Sequence, residues 1–153
     1  MDLPHIKPMH PSSTGPQFKN LDRVARIEKH LAGSKSSLGD LKSLSNSDRG
    51  LYCEFLVYKK FINMKMKFMG HQLKTAFGEV DLLFFDPLQN LATLIEVKSC
   101  TSDDFLVSRV SLRQKSKLKA CRLFFERDFS EVQILLALVS HDASIELIES
   151  FLS

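Results

Sequence analysis

The spacing of apolar residues along the chain alternates between a helical period and the denser pattern of strands. Phe18, Leu21, Val24, Ala25, Ile27 and Leu31 recur at roughly helical spacing and predict a helix over about 18–31, with Gly33 as its stop. Leu51, Phe55, Tyr58, Phe61 and Ile62 form a second stripe that leaves Lys59 and Lys60 outside it, which predicts an amphipathic helix over 49–63. Residues 66–74, 79–85 and 92–99 then read as strands. The last two are joined by Asp86-Pro87-Leu88-Gln89-Asn90, a segment with turn chemistry, so they should form a β-hairpin. Helical spacing returns over 108–127, and the nearly continuous apolar run Val132 to Val139 suits a strand buried on both faces. Residues 143–152 form a closing element whose type the pattern leaves open.

The order helix, three strands, helix, strand predicts a layered α/β or α+β sandwich. Four of the five prolines fall in residues 1–16, so 1–17 reads as a flexible N-terminal arm. Residues 18–48 read as the first helix followed by a Ser-rich linker whose Leu38, Leu41 and Leu44 can reach a core. Residues 49–153 read as the compact domain. At 153 residues and 44% hydrophobic content the chain fits one core, and no stretch is apolar enough for a membrane span. Cys53, Cys100 and Cys121 show no CxxC spacing and the N-terminus lacks a signal-peptide pattern; together these predict a reduced, cytoplasmic protein without structural zinc. His5, His10, His30, His71 and His141 have no metal-ligand spacing, and the absence of a P-loop or GxGxxG pattern argues against nucleotide chemistry. The expectation for His71 and His141 is an ordinary surface or satisfied core position, the alternative being an accessory residue of a site.

The net charge of +3 hides a strong division. Residues 49–128 carry fourteen basic and nine acidic side chains, whereas 129–153 carry four acids and no base. Within the middle segment, Arg109, Arg113, Lys115, Lys117, Lys119, Arg122 and Arg127 stand against Glu126 alone. A helix with one apolar face and such a cationic flank fits contact with a phosphate backbone.

The hairpin carries the chemistry. A four-residue loop at 87–90 sets Asp81 opposite Glu96 and Glu79 opposite Lys98, and a two-residue loop moves the partners without changing the faces. Asp81, Glu96 and Lys98 therefore share one side of strands otherwise made of Leu, Phe, Ile and Val. Buried charge of this kind needs compensation, which a divalent cation supplies; oxygen ligands suit Mg²⁺ or Mn²⁺. The plainer alternative is a cross-strand Glu96–Lys98 ion pair with Asp81 at a strand end. Two polar residues interrupt apolar stripes nearby. Glu54 lies on or beside the apolar face of its helix and either faces the acidic cluster or snorkels to water. Gln114 falls on the stripe of Val110, Leu118, Cys121 and Phe125 and either serves the site or closes a capping box with Ser111.

Glu54, the 78-GEVD-81 motif, 95-IEVKS-99 and 113-RQKSKL-118 opening a basic helix together resemble the PD-(D/E)XK nuclease superfamily, and more narrowly the YraN-like family of bacterial proteins. Archaeal Holliday-junction resolvases are similar in the same core arrangement. The resemblance spans about residues 49–127. It implies a restriction-endonuclease-like α/β/α sandwich with a central mixed sheet and flanking helices, and a metal-dependent DNA endonuclease, structure-selective on branched DNA. It further implies Asp81, Glu96 and the Val97 carbonyl as ligands of Mg²⁺ or Mn²⁺, Lys98 as catalytic lysine, Glu54 as an additional acid and Gln114 as an accessory polar residue. Arg109, Arg113, Lys115, Lys117, Lys119 and Arg122 would hold nucleic acid, with no membrane partner, and a homodimer is usual among resolvase-like enzymes. The chain departs from the pattern at Val80, where a proline is nominal, and at 131–134, which read Glu-Val-Gln-Ile where an arginine and an aspartate are expected. The competing expectation is a catalytically silent nuclease-like module that binds nucleic acid or protein.

Overall fold

The computed structural model describes residues 15–33, 41–100 and 110–149, the side chain of Cys100 excepted. Most of the N-terminal arm, Leu38 of the linker, Arg109 and the last four residues lie outside them. Among the described residues three α-helices and five strands, with a one-turn 3-10 helix at Leu41–Ser43 before the second helix, follow one another as α1 (Leu21–Gly33), α2 (Asn46–Asn63), β1 (Lys67–Thr75), β2 (Gly78–Asp86), β3 (Leu91–Cys100), α3 (Leu112–Phe125), β4 (Glu131–Ser140) and β5 (Ile145–Ile148). The strands form one mixed sheet in the order β1-β2-β3-β4-β5, antiparallel except for the parallel β3–β4 pair that α3 connects. The chain is therefore α/β, and the closing element is a short edge strand.

Strand alternation divides the core into two layers. Leu82, Phe84, Ile95, Leu135, Ala137 and Val139 pack with Leu51, Val57 and Phe61 of α2 on one face. Leu83, Phe85, Ala92, Leu94, Ile134, Leu136 and Leu138 pack with Leu118, Cys121 and Phe125 of α3 on the other. The apolar run of β4 is buried on both faces because its neighbouring residues serve opposite layers. Phe18, Val24, Ile27, Leu41 and Leu44 join the α2 layer, so the leucines of the Ser-rich segment that are described lie in the core. Helix α2 starts at Asn46, earlier than the apolar stripe indicates, because Ser45 caps it by accepting from the Asp48 N–H. No helix among the described residues is long and apolar enough to cross a membrane.

The β2–β3 turn has the expected four residues. Asp86 Oδ1 accepts from Leu88 N–H at 2.9 Å, and Asn90 takes a left-handed φ of 52°, a conformation asparagine tolerates. That turn fixes the register from Asp86↔Leu91 to Leu82↔Ile95, where the described ladder ends. Glu79 consequently does not pair with Lys98 as the extrapolated register has it; the strands have parted by then, and exposed Glu79 stands opposite Lys74 of β1.

Candidate active site

The site forms where β2 leaves β3. Beyond Leu82 the Asp81 side chain replaces a ladder bond, its Oδ2 accepting from the Val97 N–H at 2.8 Å. The N–H and C=O of one strand residue point toward the same neighbour, so the Val97 carbonyl also faces this parted edge. Alternation slips at the same place. Val80 and Leu73 pack in the α3 layer, while Leu82 packs in the α2 layer and His71 stacks on Phe18 of that layer. The residues between them are Asp81 and Gln72, and Gln72 has a left-handed φ of 49°. Asp81 thus stands at the seam between the two layers, where groups from α2 and α3 can both approach.

Asp81, Glu96, Lys98 and Glu54, all singled out by sequence, come together here around the Val97 backbone. Glu96 is buried, with Oε1 at 3.7 Å from Lys98 Nζ and Oε2 buried without a hydrogen-bond partner. Lys98 keeps 31% of its side chain exposed. Burial, then the negative charges of Glu96 and Glu54, push the Asp81 carboxyl well above the ordinary aspartate range. Burial also raises Glu96, opposed chiefly by the ammonium of Lys117 and then by Lys98. Glu54 does not snorkel: its side chain is only 14% exposed and its Oε1 takes hydrogen bonds from His71 Nε2 at 2.7 Å and Gln72 Nε2 at 3.3 Å.

Gln114 is a correction. Its Oε1 accepts from the Ser111 N–H at 3.2 Å while Ser111 Oγ accepts from the Gln114 N–H at 3.1 Å, a complete capping box at the start of α3. The local partner wins because the first-turn N–H groups of a helix have no intrahelical acceptor. The basic helix needs a second correction, since its cations do not form one flank. At 100° per residue Arg113 and Lys117 fall on one side of the buried stripe and Lys115, Lys119 and Arg122 on the other.

Lys117, assigned by sequence to backbone contact, lies near enough to the acids for its charge to lower both Asp81 and Glu96. Its aliphatic stem crosses Gly78, where an added Cβ would stand 2.6 Å from Lys117 Cδ, and Gly78 has a φ of +140° that side chains rarely adopt. The glycine of the GEVD motif is therefore a channel for this lysine. Gly78→Ala is expected to cost about 1–3 kcal/mol in chemical denaturation and to turn Lys117 away from Glu96. The sequence reading missed the place of this lysine and of Gln72, the glycine opening β2 being the one available signal for the lysine; His71 is the satisfied core histidine expected, 1% exposed with both ring nitrogens bonded.

Among the described residues no set of three or more His, Cys, Asp or Glu side chains forms a metal cage. What the seam offers is a carboxylate pair, a backbone carbonyl and adjacent cations. No protein-family model matches the chain, and no curated protein gives a significant match.

The raised carboxyls make a pH-dependent prediction. In the folded protein Asp81 and Glu96 hold protons to higher pH than in the unfolded chain. Their contribution to stability is thus lost as pH rises from the ordinary carboxylate range through the raised values, and their ionisation costs stability in full above them. A divalent cation compensates only the ionised forms. A cation held by these two carboxylates would therefore raise the melting temperature, measured against EDTA, more at about pH 8 than at about pH 5, and an equal or absent rise at the two pH values would speak against such a site.

Proposed function

We propose that this protein is a metal-dependent nuclease that hydrolyses phosphodiester bonds in DNA, on a restriction-endonuclease-like form of the α/β/α sandwich. The observation that carries this reading is the convergence of Asp81, Glu96 and Glu54 with Lys98 and Lys117 where β2 and β3 part, with Glu96 Oε2 buried and unpartnered. An orphaned carboxylate oxygen beside a second desolvated carboxyl is a poor structural device, because burying charge without a partner destabilises the fold. It is a good half of a cation site.

The residues fit a hard divalent cation. Asp81, Glu96 and the Val97 carbonyl would hold Mg²⁺ or Mn²⁺, which takes few protein oxygens and leaves positions for water and phosphate. When bound, such a cation polarises the phosphoryl oxygen and lowers the pKa of a coordinated water. The chain supplies the rest. Lys98, partly exposed beside Glu96, orients the attacking water and meets the charge that grows on the phosphate. Lys117, pinned over Gly78, adds a second cation on the α3 side. Arg113 extends that flank toward the nucleic-acid backbone, and Lys115, Lys119 and Arg122 make a separate basic flank that contacts it without reading sequence.

The test is a panel of single-stranded, duplex, flapped and branched DNA incubated with the purified protein in Mg²⁺, Mn²⁺ or EDTA. Cleavage in either metal and none in EDTA is the expected result, and the preferred member of the panel shows whether the enzyme is structure-selective. Salt-sensitive binding without cleavage of any member would replace this reading with a silent binding module.

A further inference from the structure

His71 is a buried titratable residue that the proposed reaction leaves unused. It is 1% exposed, and its ring lies flat on Phe18 with centroids 3.8 Å apart and an interplanar angle of 7°. Both ring nitrogens are engaged. The Lys19 backbone N–H donates to Nδ1 at 2.9 Å, so Nδ1 is bare, the proton sits on Nε2, and Nε2–H donates to Glu54 Oε1 at 2.7 Å. Gln72 donates to the same oxygen, and Lys19 Nζ in turn donates to the Gln72 carbonyl at 3.1 Å. Residues 18–19 therefore strap the two donors that hold Glu54.

We infer that His71 is a positioning residue: held in one tautomer by the strap, it keeps the Glu54 carboxylate turned toward Asp81 and Glu96. The inference rests on the nuclease reading, because it assigns His71 a part in the rate of that reaction. The physical reason is like-charge repulsion. The negative charge of Glu54 raises both Asp81 and Glu96, so the three repel one another, and a glutamate with free rotamers would swing toward water. Two donors on Oε1 prevent that and leave Oε2 outside these bonds. A core histidine serving packing alone would need the stack on Phe18 but no particular proton position.

The experiment compares wild type with His71→Phe, which keeps an aromatic ring on Phe18 but removes the donor, and His71→Gln, which restores a donor of similar reach. Single-turnover cleavage should fall about 10- to 100-fold in His71→Phe with KM for DNA unchanged, and His71→Gln should recover most of the loss. In a long-range ¹H–¹⁵N spectrum of the full chain, the wild-type ring should show Nε2 protonated and Nδ1 bare. If His71→Phe does not fold, the comparison rests on His71→Gln and the tautomer. An active wild type whose folded His71→Phe variant cleaves at the same rate, or a ring protonated on Nδ1, overturns the positioning role alone. A wild type that cleaves nothing in the DNA panel overturns the nuclease reading and the positioning role with it.

Discussion

Glu96→Gln is expected to abolish metal-dependent cleavage and to raise the melting temperature in the same protein. Glu96 Oε2 is buried without a partner, and burial is the chief reason its carboxyl is raised. Replacing it with a neutral amide of the same shape removes a desolvated charge and relieves Asp81 of its largest repulsive neighbour. The Lys98 contact that is lost spans 3.7 Å at a partly exposed lysine and offsets little. The expected gain is roughly 1 kcal/mol at neutral pH, in keeping with sites that hold charge at the expense of stability. On the proposed mechanism Glu96 is a metal ligand, and its loss should reduce the single-turnover rate by at least about 100-fold. The added stabilisation by Mg²⁺ expected of wild type should disappear with it. A Glu96→Gln protein less stable than wild type would mean that the carboxylate is part of the structural ion pairing instead.

Lys98→Ala should separate binding of the cation from chemistry. The lysine is 31% exposed and touches Glu96 through one long ion pair, so its removal should change stability by less than about 1 kcal/mol. Asp81, Glu96 and Val97 remain, and the shift of melting temperature by Mn²⁺ should persist. On the proposed mechanism the cleavage rate should nevertheless fall on the order of 10²- to 10³-fold, since Lys98 is there the group that meets developing charge. Loss of the Mn²⁺ shift in this variant would assign Lys98 to organising the acids.

Much of this was legible in the sequence for particular reasons. The Asp86 to Asn90 turn set the β2–β3 register, and that register placed Asp81 and Glu96 together, because a turn and a two-residue period leave few choices. Glu54 was visible as a charge on an apolar helical stripe. Periodicity stops being informative where the strands part: alternation slips at Gln72 and Asp81, so Glu79 never reaches Lys98. Spacing along α3 could not separate a side-chain cap from a site residue at Gln114, and the local acceptor won. Nor could it show that Lys117, on the margin of the stripe, has a glycine in the facing strand to lie across. The bond from His71 to Glu54 joins β1 directly to α2 while residues 18–19 hold the other side of the ring, a tertiary relation with no pattern in either element.

The most direct test of the central claim is single-turnover DNA cleavage by wild type and Asp81→Asn purified in parallel, since a contaminating nuclease would be common to both preparations. Asp81 supplies a desolvated carboxyl and receives the Val97 N–H that shapes the parted edge. The account predicts Mg²⁺-dependent cleavage by wild type, abolished by EDTA and reduced at least about 100-fold in Asp81→Asn with the fold intact. Equal cleavage by the two proteins, or none by wild type in either metal, would contradict it.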